Sequence, residues 1–271
     1  MPARDGFLLD YKRLDLLGRG DSPVHRLDPR AKVLTTLAFV VCVVSFDRYA
    51  VSTLLPYALF PIVLAARGGL PVGYLLRKLA VVAPFAVLIG IFNPWFDREV
   101  VLQLGPLPIW GGWLSFTAIV VKTLLTAGAA IVLVAVTGFP VICAALERLG
   151  LPRAFASQLN FLYRYLFLLA DEGGRMHRAS QLRAPCGGAL PLARFAPLAG
   201  HLLLRSWARA ERVHMAMLAR GGSDVGQPLC TSRRFSGNDL LFLAGWSLVF
   251  LALRLYHLPH LLGRLVTGGL S

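Results

Sequence analysis

The stretch Leu114–Thr137, LSFTAIVVKTLLTAGAAIVLVAVT, runs for 24 residues with a single charged side chain, Lys122. About 20 predominantly apolar residues in an α-helix cross the roughly 30 Å of a bilayer's hydrocarbon core, so this segment reads as a membrane span. Four more apolar runs surround it: AKVLTTLAFVVCVVSF from Ala31, YAVSTLLPYALFPIVLAA from Tyr49, LAVVAPFAVLIGIF from Leu79 and, downstream, LLFLAGWSLVFLALRLYHL from Leu240. Only Asp47 and Arg48 separate the first two, which predicts two spans joined by a tight turn. Pro84 inside the third is tolerable because packed neighbours can satisfy the carbonyl it frees.

Composition agrees with these spans. The 271 residues are 56% hydrophobic and 15% charged, with a mean hydropathy of +0.63, which places the chain outside the ordinary soluble class. The formal net charge is +14, and only Lys12, Lys32, Lys78 and Lys122 are lysines, so nearly all the positive charge is arginine. A basic chain can meet nucleic acid, an anionic membrane surface or an acidic protein partner. Nucleic acid fits worst, because the chain has neither a recognisable binding module nor a soluble domain. Cys42, Cys143, Cys186 and Cys230 show no CxxC spacing, so neither a disulfide framework nor a zinc site is expected. The N-terminal MPARDGFLLDYKRLDLLGRG breaks each apolar run with a charge, so it has no signal-peptide core and is expected on the mature protein.

Loop charge sets the expected direction of the spans. Arg13, Arg19, Arg26, Arg30 and Lys32 precede the first, Arg67, Arg77 and Lys78 separate the second and third, and thirteen arginines from Arg148 to Arg234 lie between the fourth and fifth. The alternate loops carry almost none. The positive-inside rule then predicts a cytoplasmic N-terminus and an odd number of spans. The expected fold is an all-α polytopic membrane protein with five transmembrane helices. Its parts are residues 1–137 with the first four spans, a cytoplasmic helical insert over 138–239, and 240–271 with the last span. At the first span, DSPVHRLDPRAK offers Asp28 as an N-cap and Pro29 at N1, with Arg30 and Lys32 as headgroup anchors.

The insert is too long to lack structure of its own. LNFLYRYLFLLADEGGRMHRASQLRA begins apolar and aromatic at Leu159 and turns basic by Arg175, which predicts one long helix ended by PCGGALP at Pro185–Pro191. A second helix is expected over 192–220. Leu203, Trp207, Ala210, Val213 or His214, and Met217 recur on it at helical spacing, with Arg205, Arg209 and Arg212 mostly off that stripe. Gly221 sits where a left-handed C′ residue would end it, leaving Arg220 at the tip. Arg183 would end the first helix. Two accounts of these arginines stay open: compensation of a helix C-terminus, about 0.3–1 kcal/mol each, and a paired basic feature for a protein partner.

DSPVHRLDPRAK, FNPWFDRE, NFLYRYLFLLADEGGRMHRASQLRA and RSWARAERVHMAMLARGG, in this order, resemble the transmembrane T component of energy-coupling factor ABC transporters, most closely its cobalt-type CbiQ branch. The resemblance runs from Asp21 to Gly222. It implies a non-catalytic membrane scaffold, with no cofactor bound directly, whose cytoplasmic helices dock into two ATPase subunits of the CbiO or EcfA type. ATP would be used by those partners. A CbiM-type membrane subunit would bind the substrate, with a small CbiN-type accessory subunit, in the cytoplasmic membrane. It also implies that each docking helix ends in a short arginine motif meeting acidic residues on an ATPase. Ala219-Arg220-Gly221 matches that motif. The first motif departs from it as Gln181-Leu182-Arg183-Ala184, so Arg183 is assigned and Arg178 remains a rival. The cargo implied is cobalt, with nickel or a vitamin as alternatives.

An integral-membrane enzyme is the rival of another class. It would need paired carboxylates, a histidine cluster or an activated nucleophile near the bilayer. Only Lys122 and Arg254 lie within spans, neither with a partner legible in sequence, and snorkelling or packing accounts for Lys122 as well as function does. His257-Leu-Pro-His260 has an HxxH look, but Pro259 breaks the helix that would align the rings, so no metal ligand is assigned. The chain has no GxxxxGK[ST] and is not expected to hold ATP by that route.

Overall fold

A computed structural model describes residues 20, 22–47, 51–96, 100–104, 107–183, 192–221 and 235–255. Its elements in chain order are α1 (Pro29–Val44), α2 (Val51–Leu54), a 3-10 turn (Leu55–Ala58), α3 (Leu59–Arg67), α4 (Val72–Gly90), α5 (Asn93–Phe96), β1 (Val100–Leu104), β2 (Leu107–Trp110), α6 (Gly111–Thr137), α7 (Phe139–Arg148), α8 (Arg153–Leu182), α9 (Leu192–Ala219) and α10 (Gly237–Leu255). The all-α expectation holds apart from the hairpin. There β1 pairs antiparallel with β2, Leu104 opposite Leu107 and Val100 opposite Trp110, with an irregularity between Val100 and Leu102. The physical signal was present but short: β-branched Val100 and Val101 precede Gly105-Pro106, a pair that punctuates turns.

The five apolar runs do not become five equal helices. Only α4, α6 and α10 are, among the described residues, long and apolar enough to cross a membrane unaided. Helix α1 has 16 residues, about 24 Å at 1.5 Å per residue. The second run is divided into α2, the 3-10 turn and α3, because Pro56 and Pro61 supply no N–H to a continuous ladder. Pro84, by contrast, is carried inside α4. Helix α1 starts as expected, with Asp28 Oδ1 accepting from the Arg30 N–H at 2.9 Å and Pro29 at the first helical position.

The described residues form two compact units, one containing 22–138 with 235–255 and the other 139–221. In the first, an aromatic cluster joins α1, the second-run helices and α10. Phe39 stacks on Phe60 at 4.8 Å between centroids, Phe60 meets Trp246 edge-on at 4.9 Å, and Tyr57 stacks on Phe250 at 6.0 Å. The Tyr57 hydroxyl donates to the Phe250 carbonyl at 2.9 Å, so the polar end of this buried ring is satisfied. Helix α6 presents Ala129, Val132, Ala135 and Val136 to the same core. Small residues let helix backbones approach closely where the surroundings are already apolar.

In the second unit α7 packs along α8, with Phe139 stacked on Tyr163 at 4.9 Å and Cys143, Ala144 and Ala145 buried. Gly150, at φ +112°, makes the turn between the two helices in a region that L side chains rarely adopt. Burial pushes the Cys143 thiol above its ordinary value, so it behaves as a small apolar side chain.

Candidate functional site

The long insert helices α8 and α9 carry the residues the sequence singles out. Helix α8 is continuous over 30 residues, about 45 Å, and α9 over 28, about 42 Å. Both are amphipathic, and they cross rather than merge into one apolar core. Trp207 is 74% exposed and Leu182 89% exposed, so much of their apolar face is uncovered.

At the crossing, Glu172 of α8 is buried and faces two arginines of α9. Its Oε2 accepts from Arg209 Nη2 at 3.0 Å and its Oε1 from Arg205 Nη1 at 3.5 Å. Arg205 and Arg209 are one turn apart on the same face of α9, so one carboxylate can serve both. Next to it, a Cβ on Gly173 would meet Leu202 Cδ2 at 3.5 Å, an ordinary packing distance that marks the close approach of the helices. In the sequence Glu172 stands only as one of two adjacent acids, Asp171-Glu172, with no partner marked. The signal that could have found it is the off-stripe placement of Arg205 and Arg209, which calls for an acidic partner.

The tips of the two helices are alike. Arg183 follows the last helical residue of α8, at φ −89° and ψ −6°, with its N–H donating to Ala179 O at 3.3 Å. Arg220 follows Ala219, the last helical residue of α9, and its N–H donates to Met217 O at 3.1 Å. Gly221 then takes φ +76° and donates to Leu218 O at 3.0 Å, the left-handed ending its position implied. Arg183, Ala219, Arg220 and Gly221 are all exposed. Arg178 is exposed too, but it lies inside α8 and its Nη1 comes within 3.9 Å of where a Cβ on Gly174 would sit, along its own helix.

Between the helices runs a groove of about 430 Å³ lined by Phe161, Tyr165 and Leu169 of α8 and Trp207, Val213 and Met217 of α9. Trp207, Ala210, Val213, His214 and Met217 of the expected stripe line it, while Leu203 does not and is exposed. The stripe therefore borders an open groove instead of a closed core.

Lys122 and Arg254 do have partners. Lys122 Nζ donates to the Phe46 carbonyl, and Arg254 Nη2 donates to Ser45 Oγ at 3.0 Å with its guanidinium over the Phe46 ring. Sequence could not show this, because the contacts span 76 and 209 positions. His257 and His260, Cys186 and Cys230, and PCGGALP lie outside the described residues. Among the described residues no group of three His, Cys, Asp or Glu could hold a metal ion.

Comparison with known proteins follows the same outline. The family model CbiQ, described as a cobalt transport protein, matches residues 20–229. The chain is 30% identical to the energy-coupling factor transporter transmembrane protein EcfT of Heliobacterium modesticaldum, over 87% of this chain and 94% of the relative. It is 27% identical to the EcfT of Thermosediminibacter oceani over 74% of this chain and 80% of that one, and 25% identical to that of Bacillus subtilis over 74% and 81%. With the match spanning both the apolar spans and the paired insert helices, the chain belongs to the EcfT/CbiQ family of energy-coupling factor transporter transmembrane proteins.

Proposed function

We propose that the chain is the coupling scaffold of an importer, carrying ATP-driven motion from two ATPase subunits to a membrane subunit that binds the substrate. The observation that carries this reading is the pairing of α8 and α9. They cross at a buried carboxylate, Glu172, shared by two arginines, and end in arginines at the same cap position, one after the last helical residue. Two such tips suit two copies of an acidic partner. A charge-assisted arginine–carboxylate bond, about 1.5–3 kcal/mol, suits a joint that must transmit force. Arg183 and Arg220 are the contact residues, with Ala219 and Gly221 shaping the second tip and Arg178 the rival to Arg183. The uncovered groove beside Trp207 gives the ATPases an apolar surface to seat on. ATP hydrolysis belongs to the partners, and the chain itself performs no chemistry.

The arginine-rich insert faces the cytoplasm, as does the N-terminus, because basic loops stay inside. Five crossings satisfy the charge pattern if α1 and the α2–α3 segment are counted with the three long spans. The cargo is cobalt, in keeping with the description carried by the family, and the partners are then of the CbiO, CbiM and CbiN types. A second reading is the same scaffold serving nickel or a vitamin; the names of the relatives specify no cargo.

The test is co-purification from membranes in mild detergent of tagged wild type beside an R183A/R220A variant. ATPase subunits and a small membrane protein accompany the wild type, the ATPases are lost from or inactive with the variant, and the companion identifies the cargo. Normal uptake by the double variant overturns the coupling role, and recovery of the chain alone overturns the scaffold.

A further inference from the structure

Three carboxylates are buried among the described residues of this basic chain: Asp28, Glu172 and Asp239. Glu172 belongs to the insert. The other two meet at one place in the spanning unit. Asp239 stands in the first turn of α10, where its Oδ2 accepts from the Ser236 N–H at 2.8 Å, the arrangement of a capping box at its own helix start. Its Oδ1 accepts from the Asp28 N–H at 2.8 Å, across 211 positions. Asp28 is itself the N-cap of α1. One carboxylate thus closes the N-terminal ends of two helices.

The opposite ends of the same helices meet the opposite charge. Arg254, in the last turn of α10, bonds Ser45, the C-cap of α1, and Lys122 of α6 donates to the next carbonyl, that of Phe46. Helices α1 and α10 therefore run parallel and in contact over their length. Parallel neighbours place like dipole ends side by side, half-positive beside half-positive and half-negative beside half-negative. That arrangement is unfavourable where water cannot screen it. Here acids stand at the N-terminal end and bases at the C-terminal end.

We infer that Asp239 and Arg254 are positioning residues that lock α1 and α10 into one charge-matched parallel pair, while Lys122 ties the same end of α1 to α6, so that the chain's return from the insert carries the first helix with it. The second half of this statement rests on the coupling role proposed above, because α10 is the element that directly follows the insert in sequence. The first half does not. It gives Lys122 and Arg254 a shared role, closing the end of α1 together.

The test is amide hydrogen exchange of the full chain in detergent, for wild type, D239N, K122M and K122R. Asparagine keeps the shape of Asp239 but loses its charge and one acceptor oxygen. D239N is expected to speed exchange about tenfold, what one charge-assisted hydrogen bond supports, at residues 22–33, the turn before α1 and its first residues, as well as at the start of α10. K122M is expected to do the same at residues 41–47 only, and K122R, which keeps the charge and can still donate, to match wild type. The inference is overturned if D239N loosens α10 alone, if K122R behaves like K122M, or if D239N loosens α4 and α6 together with α1. This readout needs no ATPase, so failure of the coupling role would show in the co-purification and leave this result standing.

Discussion

Replacing Glu172 with alanine removes the acceptor that two arginines of α9 share. The Arg209 bond is short at 3.0 Å, with the carboxylate side chain 10% exposed and Arg209 33% exposed. A hydrogen bond between charged groups this well covered contributes about 1.5–3 kcal/mol. The Arg205 bond is longer at 3.5 Å and its guanidinium is 63% exposed, so solvent screening reduces it to about 0–0.5 kcal/mol. The whole triad is then worth about 2 kcal/mol, or roughly 30-fold in the local opening equilibrium. The assay is amide exchange over 165–182 and 200–215 in E172A, R209A and the double variant. A coupling energy of about 1–2 kcal/mol is expected between the two positions, and R205A should change exchange by less than about 0.5 kcal/mol. Additivity of E172A and R209A within about 0.5 kcal/mol would refute the view that this triad fixes the crossing.

Tyr57→Phe keeps the aromatic cluster and deletes only the bond to the Phe250 carbonyl, so thermal unfolding in detergent should show a loss of about 0.5–1.5 kcal/mol. Gly90→Val should be harsher, because even a Cβ at Gly90 would stand 2.8 Å from Phe116 Cδ2, and overpacking of this kind costs about 1–3 kcal/mol. A lower melting point and a broader gel-filtration peak are the readouts, and an unchanged melting point would show that the Phe116 ring moves aside freely. Cys143 should resist maleimide in the folded protein while half-buried Cys42 reacts first. Because burial raises the Cys143 value, the folded state favours the protonated thiol. Its contribution to stability is therefore full below the ordinary thiol value of 9.0 and is lost as pH rises from there through the higher value of the folded state. Labelling of Cys143 as fast as that of Cys42 would contradict this.

The insert helices were legible because periodicity, glycine and proline act locally. Leu203 to Met217 recur on one face and Gly221 ends α9, each decided within a few residues, whereas α8 opens at Arg153, upstream of Leu159, where its apolar and aromatic run begins. The same locality explains the division of the second apolar run. Hydropathy alone reads it as one span, while Pro56 and Pro61 break the ladder. The hairpin at Val100–Trp110 fell below the length at which alternation can be recognised among apolar neighbours.

By itself the sequence determined that the chain is built of helices for a membrane, that α1 starts at the Asp28-Pro29 cap and that α9 stops at Gly221. Those properties follow from transfer free energy and from backbone capping, both of which act within a turn or two of the chain. Only the tertiary structure decided what each charge faces. Glu172 joins α8 to α9, Asp239 closes α1 as well as its own helix, and Lys122 and Arg254 meet at the end of α1. These partners lie from 33 to 211 positions apart, and a buried charge is satisfied by whatever the fold brings within hydrogen-bond reach of it, which no local pattern records.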